Sequence, residues 1–110
     1  MSTTIANGTA TLTVGAAATI LATITTQGAH AILIDTSGMA SGDTVKVTKR
    51  ERISATGTWA VTESTLTGAQ TPPRAESDSL DIVPQGGTLE YSIQQTAGTG
   101  RSFTWAVARA

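Results

Sequence analysis

Thr9-Ala10-Thr11-Leu12-Thr13-Val14 alternates without a break, apolar on one side and hydroxyl on the other. A period of two is the mark of a strand with one dry face and one wet face. It constrains the fold more than any other feature, because no stretch of the chain carries an apolar period of 3.6. Threonine makes up about a fifth of the residues, and its β-branched side chain suits the half-exposed surface of a sheet. Glycines recur between the alternating runs, as turns do in all-β chains.

The runs can be read in order. Residues 19–26 place Ile20, Ala22 and Ile24 in phase. Residues 29–35 (AHAILID) are apolar on both faces and read as a central strand. Residues 44–53 turn Val45 and Val47 inward, and Lys46 and Thr48 outward. A strand from Gly57 runs through Trp59, Val61 and Glu63 towards Leu66. Residues 80–83 form a short strand stopped by Pro84. Residues 88–95 point Leu89, Tyr91 and Ile93 inward; residues 101–108 do the same with Phe103, Trp105 and Val107. The last two strands read as a hairpin across Ala97-Gly98-Thr99-Gly100, with the centre of the core between them. Residues 36–43 and 67–79 read as loops; the second holds Pro72-Pro73, which cannot donate to a ladder. The expectation is an all-β, single-domain antiparallel β-sandwich or barrel of seven or eight strands. Residues 1–110 form one domain, with 1–7 an extended N-terminal arm.

Composition then removes several chemistries. The net charge is −1 and 14% of residues are charged. That balance opposes both a basic nucleic-acid-binding surface and intrinsic disorder. There is no cysteine, hence no disulfide and no thiolate metal site. The N-terminus Met1-Ser2-Thr3-Thr4-Ile5 lacks a positive region, and the apolar stretch 12–24 is short and broken by Thr and Gly. Neither a targeting segment nor a membrane anchor is expected. Trp59, Tyr91, Phe103 and Trp105 are the only aromatics, and much of the apolar count is alanine. The core is therefore modest, and a partner or self-association is expected to add stability.

No catalytic, cofactor or metal constellation emerges. Asp35-Thr36-Ser37-Gly38 follows an apolar strand, as an aspartic-protease loop would, but a serine displaces the glycine; an Asx-turn is the simpler reading. Gly98-Thr99-Gly100-Arg101-Ser102 lacks the first glycine and the lysine of a phosphate loop. His30, the sole histidine, sits between alanines and reads as a packed or interface residue. Asn7-Gly8-Thr9 fits a glycosylation acceptor, a chance match in a chain without a signal peptide. Glu76, Asp78 and Asp81 read as loop carboxylates without calcium-loop spacing. Lys46, Lys49, Arg50 and Arg52 form a basic cluster; alternation puts Lys46, Arg50 and Arg52 on one face. Such a row either meets an acidic surface or protects a solvated edge from aggregation.

The segment Leu89-Glu-Tyr-Ser-Ile-Gln-Gln-Thr-Ala-Gly-Thr-Gly-Arg-Ser-Phe-Thr-Trp-Ala-Val107 resembles the ending of a group of small phage-encoded virion proteins. In that group a Gln-Thr-Ala-Gly-Thr-Gly-Arg turn leads into an aromatic-x-Trp strand. Met39-Ala-Ser-Gly-Asp-Thr-Val45 resembles the same group's middle loop. The resemblance implies a non-enzymatic virion structural protein, first of all a capsid decoration (cement) protein. That role implies a homotrimer on the capsid exterior, assembled in the host cytoplasm, with the major capsid protein as partner. No cofactor, nucleic acid or membrane is involved. The residues expected at the interface are Ser2, Thr3, Thr4 and Ile5, as an arm that adds a strand to a neighbour's edge, and Lys46, Arg50 and Arg52. The competing readings are a head-fibre or tail component, and a carbohydrate- or receptor-binding module. The last would need an exposed aromatic such as Trp59.

Overall fold

The alternating runs become strands because only pairing satisfies their backbone groups while one face of each is buried. The computed structural model describes residues 3–76 and 80–110. Among them are nine strands: β1 (Thr3–Thr11), β2 (Thr19–Ile24), β3 (Gly28–Asp35), β4 (Thr44–Arg52), β5 (Ala60–Thr67), β6 (Arg74–Glu76), β7 (Asp81–Val83), β8 (Thr88–Ala97) and β9 (Ser102–Arg109). They form two antiparallel sheets. The front sheet runs β1-β9-β3-β6, with β7 pairing the other half of the same β3 edge; the back sheet runs β2-β8-β4-β5. Only β4 and β5 are both consecutive and paired. Every other pairing is distant in sequence, and the order is that of a jelly roll whose sixth strand is split into β6 and β7.

The core lies between the sheets. Phe103 and Val107 of β9 and Ile32 and Ile34 of β3 face Leu89, Tyr91 and Ile93 of β8 and Val45 of β4, all of them buried. These are the inward positions expected from alternation. Gly8 is the inward residue of β1 opposite Trp105, and a Cβ there would stand 3.2 Å from the indole. The ring thus covers the glycine's place in the edge strand.

The structure changes several expectations. Residues 3–7 are no free arm: they open β1, paired along β9 from Thr3 opposite Arg109. Ser2 lies outside the described residues. A bulge between Ile20 and Ala22 inserts Leu21 into the core and turns Ile20 out, so the simple phase fails there. The strand expected from Gly57 starts at Ala60, because a turn closes Ser54 on Gly57. Arg74–Glu76, expected as loop, forms β6; three residues carry no readable period. Asp81 is a buried strand residue rather than a loop carboxylate. The last two strands are not a hairpin: β8 and β9 belong to opposite sheets and face each other across the core.

Candidate interaction surfaces

The crossing from β8 to β9 unites the two segments that carry the resemblance. Gln95 is buried and donates to the carbonyls of Ala97 and Thr99, while its Oε1 accepts the Arg101 amide. Asp43, also buried, accepts the amides of Ala40 and Thr99 and the Nε of Arg101, the last at 2.8 Å. These bonds, the Ala40 amide foremost, hold the Asp43 carboxyl below its ordinary value. Gly98, at φ +91°, would drive a Cβ into the Asp43 carboxylate, and a Cβ on Gly100 would stand 2.6 Å from the Leu12 carbonyl. The Gln-Thr-Ala-Gly-Thr-Gly-Arg turn and the Met-Ala-Ser-Gly-Asp loop are thus two halves of one joint, saturated by its own bonds.

Asp35 caps the other end of its strand. Its Oδ1 accepts the Ser37 amide at 2.9 Å, the expected Asx-turn, and that bond lowers its pKa. His30 is fully buried in β3, and neither ring nitrogen has a hydrogen-bond partner among the described residues. Beside it across the β3–β7 pair, Asp81 accepts Lys49 Nζ at 2.7 Å and the Tyr91 hydroxyl at 2.6 Å. This group ties β7 of the front sheet to β4 and β8 of the back sheet. Lys49 therefore points inward, away from the rest of the basic cluster.

Lys46, Arg50 and Arg52 share the outer face of the back sheet, as alternation requires. Arg50 forks onto Glu90 (Nε–Oε1 2.7 Å, Nη2–Oε2 3.2 Å), and this pairing raises its pKa. Lys46 stands 4.0 Å from Glu63. Arg52 has no carboxylate partner among the described residues; its guanidinium lies over the Trp59 ring at 4.5 Å, and Arg50 lies over the same ring at 4.1 Å. Trp59, the aromatic that a sugar-binding module would need exposed, is half-buried on this outer face, in phase with Val61 and Glu63. The polar Glu63 in that row was the available signal that the row is wet.

The outer face of the front sheet is different. Thr4, Asn7, Thr9 and Thr11 of β1, Ser102, Thr104, Ala106 and Ala108 of β9, Ala29, Ala31 and Leu33 of β3 and Ile82 of β7 make one uncharged surface. Leu33 is 42% exposed and Ile82 64%. Hydroxyl pairs (Thr9–Thr104, 3.2 Å; Thr11–Ser102, 2.9 Å) satisfy its polar groups within the sheet. Among the described residues, charges appear only at one end, with Asp35, Arg74 and Glu76, the last directly beside Leu33. A shallow hollow between Asn7, Leu33, Arg74 and Ala106 marks that end. Thr3 and Thr4 are exposed at the far end of β1, and Ile5 packs against the core at a bulge. The residues expected at an interface thus fall into two groups on opposite sheets.

No protein-family model matches the chain, and no curated protein does. Solved structures do. A chain of the infectious bursal disease virus structure (Gx strain) aligns with 98% of this chain at TM-score 0.53 and 13% identity. A chain from the crystal structure of the VP2 subviral particle of that virus aligns with 98% at TM-score 0.55 and 14% identity. This chain spans 31% and 30% of their lengths. The likeness is one of fold: the whole sandwich corresponds to about a third of each of those virus chains.

Proposed function

We propose that this chain is a non-enzymatic virion structural protein, and specifically a decoration protein that docks on the exterior of a phage capsid through the outer face of its front sheet. The observation that carries the proposal is the surface from Thr4 to Ile82, uncharged among the described residues, with Leu33 and Ile82 exposed on it. Depletion of charge at the centre and a charged rim are what buried interface cores have, and exposed apolar patches mark interaction sites. The resemblance of the β8–β9 crossing to phage virion proteins and the shared fold with virus chains support the same reading. The partner is the major capsid protein, with this chain a homotrimer assembled in the host cytoplasm and bridging shell subunits. Several modest contacts then act together at high effective concentration. A sugar-binding reading is weaker, because guanidinium groups lie over the Trp59 ring that would stack a sugar.

The test is co-sedimentation with undecorated shells of the same phage. Saturable binding at a fixed ratio to the shell subunit supports decoration, and the ratio reports the symmetry of the site. Recovery only in tails or fibres moves the role there, and absence from virions overturns it.

A further inference from the structure

β7 is three residues long, pairs with β3 at only three positions and runs at once into Pro84. It carries the exposed Ile82, and the chain has no cysteine with which to tie it down. What holds it to the opposite sheet is Asp81. That carboxylate is 4% exposed and lies against Lys49 of β4, Oδ1 to Nζ at 2.7 Å. Its other oxygen, Oδ2, accepts the Tyr91 hydroxyl of β8 at 2.6 Å. Glu51, two residues beyond Lys49 and so on the same inward side of β4, brings Oε1 to 3.8 Å from the same Nζ. His30 stands opposite Asp81 in the β3–β7 pair, fully buried, and neither of its ring nitrogens bonds to the carboxylate.

A buried ion pair repays its desolvation poorly, so stability alone is a weak reason for this one. The groups around Asp81 instead meet the needs of acyl transfer. Lys49 holds its amino group against a carboxyl group. Tyr91 donates to the oxygen that takes up negative charge when Cγ becomes tetrahedral. Glu51 is placed to take a proton from the amine and hand it on. Burial of Asp81 keeps away the water that would reverse the reaction. Well-oriented intramolecular reactants reach effective concentrations on the order of 10⁵ M or more, which offsets the cost of condensing an amine with a carboxylate in water.

We propose that Lys49 and Asp81 condense spontaneously into an isopeptide bond that joins the two sheets. The Nζ–Cγ bond forms and the Cγ–Oδ1 bond breaks. Oδ1 leaves as water with two of the three ammonium protons, one of them carried by Glu51, and the third stays on the amide nitrogen. Oδ2 remains as the amide carbonyl oxygen, still bonded to Tyr91. The charges of ammonium and carboxylate cancel, so the step needs no co-reactant, and it runs once per chain. The product closes residues 49–81 into a covalent ring and fixes β7 to β4. It depends on these inward-facing groups alone, so it holds or fails independently of the docking proposed above.

The test is the intact mass of the full-length protein under denaturing conditions, after allowance for removal of Met1. The mass expected is that of the sequence less one water, and proteolysis should release a branched peptide joining the segments around Lys49 and Asp81. Lys49→Arg and Asp81→Ala should each show the full mass of their own sequences. Glu51→Gln, which leaves Lys49, Asp81 and Tyr91 in place, should lose the water at least roughly tenfold more slowly when followed after purification. A wild-type mass equal to that of the sequence, in protein whose circular dichroism shows the folded sandwich, leaves only an ion pair and overturns the proposal. A lost water that persists in Lys49→Arg or Asp81→Ala places the dehydration elsewhere and overturns it too. An undiminished rate in Glu51→Gln overturns the part given to Glu51.

Discussion

The two outer faces of the sandwich grow from the same threonine-rich alternation and handle charge in opposite ways. The back face gathers Lys46, Arg50, Arg52, Glu63 and Glu90 and neutralises most of them in place, with Trp59 beneath two guanidinium groups. Among the described residues, the front face carries no charge over its centre and leaves Leu33 and Ile82 exposed. In the linear sequence the basic cluster is the more conspicuous feature. In three dimensions Lys46, Arg50 and Arg52 have partners on their own face, whereas no described residue covers the apolar area of the front face. Conspicuous charge can therefore mark a finished surface, and its absence an unfinished one.

The largest effect that could break this contrast is on shell binding. Leu33→Glu buries an unpaired charge at the proposed contact and is expected to weaken binding about a hundredfold. Arg52→Glu on the back face is expected to leave binding unchanged. Titration of shells with each variant checks both, and the reverse result would exchange the roles of the two faces. Next in size is Tyr91→Phe, which strands one oxygen of the buried Asp81 and should cost about 2 kcal/mol in urea unfolding. Because Asp81 adjoins Ile82 in β7, exchange at Ile82 should quicken while the back face stays protected. Trp59→Ala is smaller, about 1 kcal/mol, since it removes cation–π stacking from a half-exposed ring; its loss should be confined to stability, with shell binding intact. The last effect is one of pH: the Asp43 joint is at full strength at neutral pH and weakens in acid. A carboxyl held below its ordinary 3.8 stabilises the fold fully above that value and loses the contribution as pH falls through the folded-state value. The urea midpoint should therefore fall below pH about 4, and Asp43→Asn should flatten that limb. Asp35, lowered in the same direction by Ser37, is the control: Asp35→Asn should flatten it less, since its bonds are local and exposed.

Much of the architecture could be read from residues. Alternation alone gave Val45, Leu89, Tyr91, Ile93, Phe103 and Val107 as inward, and all are buried. It failed where the period breaks: Leu21 is an inserted residue, and no one-dimensional pattern announces a bulge. It failed for β6, which exists only because the edge of β3 is there to pair with. It misjudged the C-terminal turn, since glycines mark a reversal without saying whether the strand returns to the same sheet or crosses to the other. The front face was hidden for a related reason. Its parts come from β1, β3, β7 and β9, each with an ordinary scatter of Thr and Ala, and only the register sums them. Gly98 and Gly100 were legible as a turn, but their partners, Asp43 and the Leu12 carbonyl, lie far away in sequence.

The pairing of β1 with β9 also sets a timetable. During synthesis, the first strand stays unmatched until the last one has been made, because Thr3 pairs with Arg109. Among the described strands, the β4–β5 ribbon is the only local pairing that can form early. A chain so dominated by distant contacts closes its loops late and folds slowly compared with helical domains of similar size. Until then, its threonine-rich strands are bare templates for one another across neighbouring nascent chains. The low aromatic content and the two bulged edges are thus as useful to the waiting chain as to the finished sandwich.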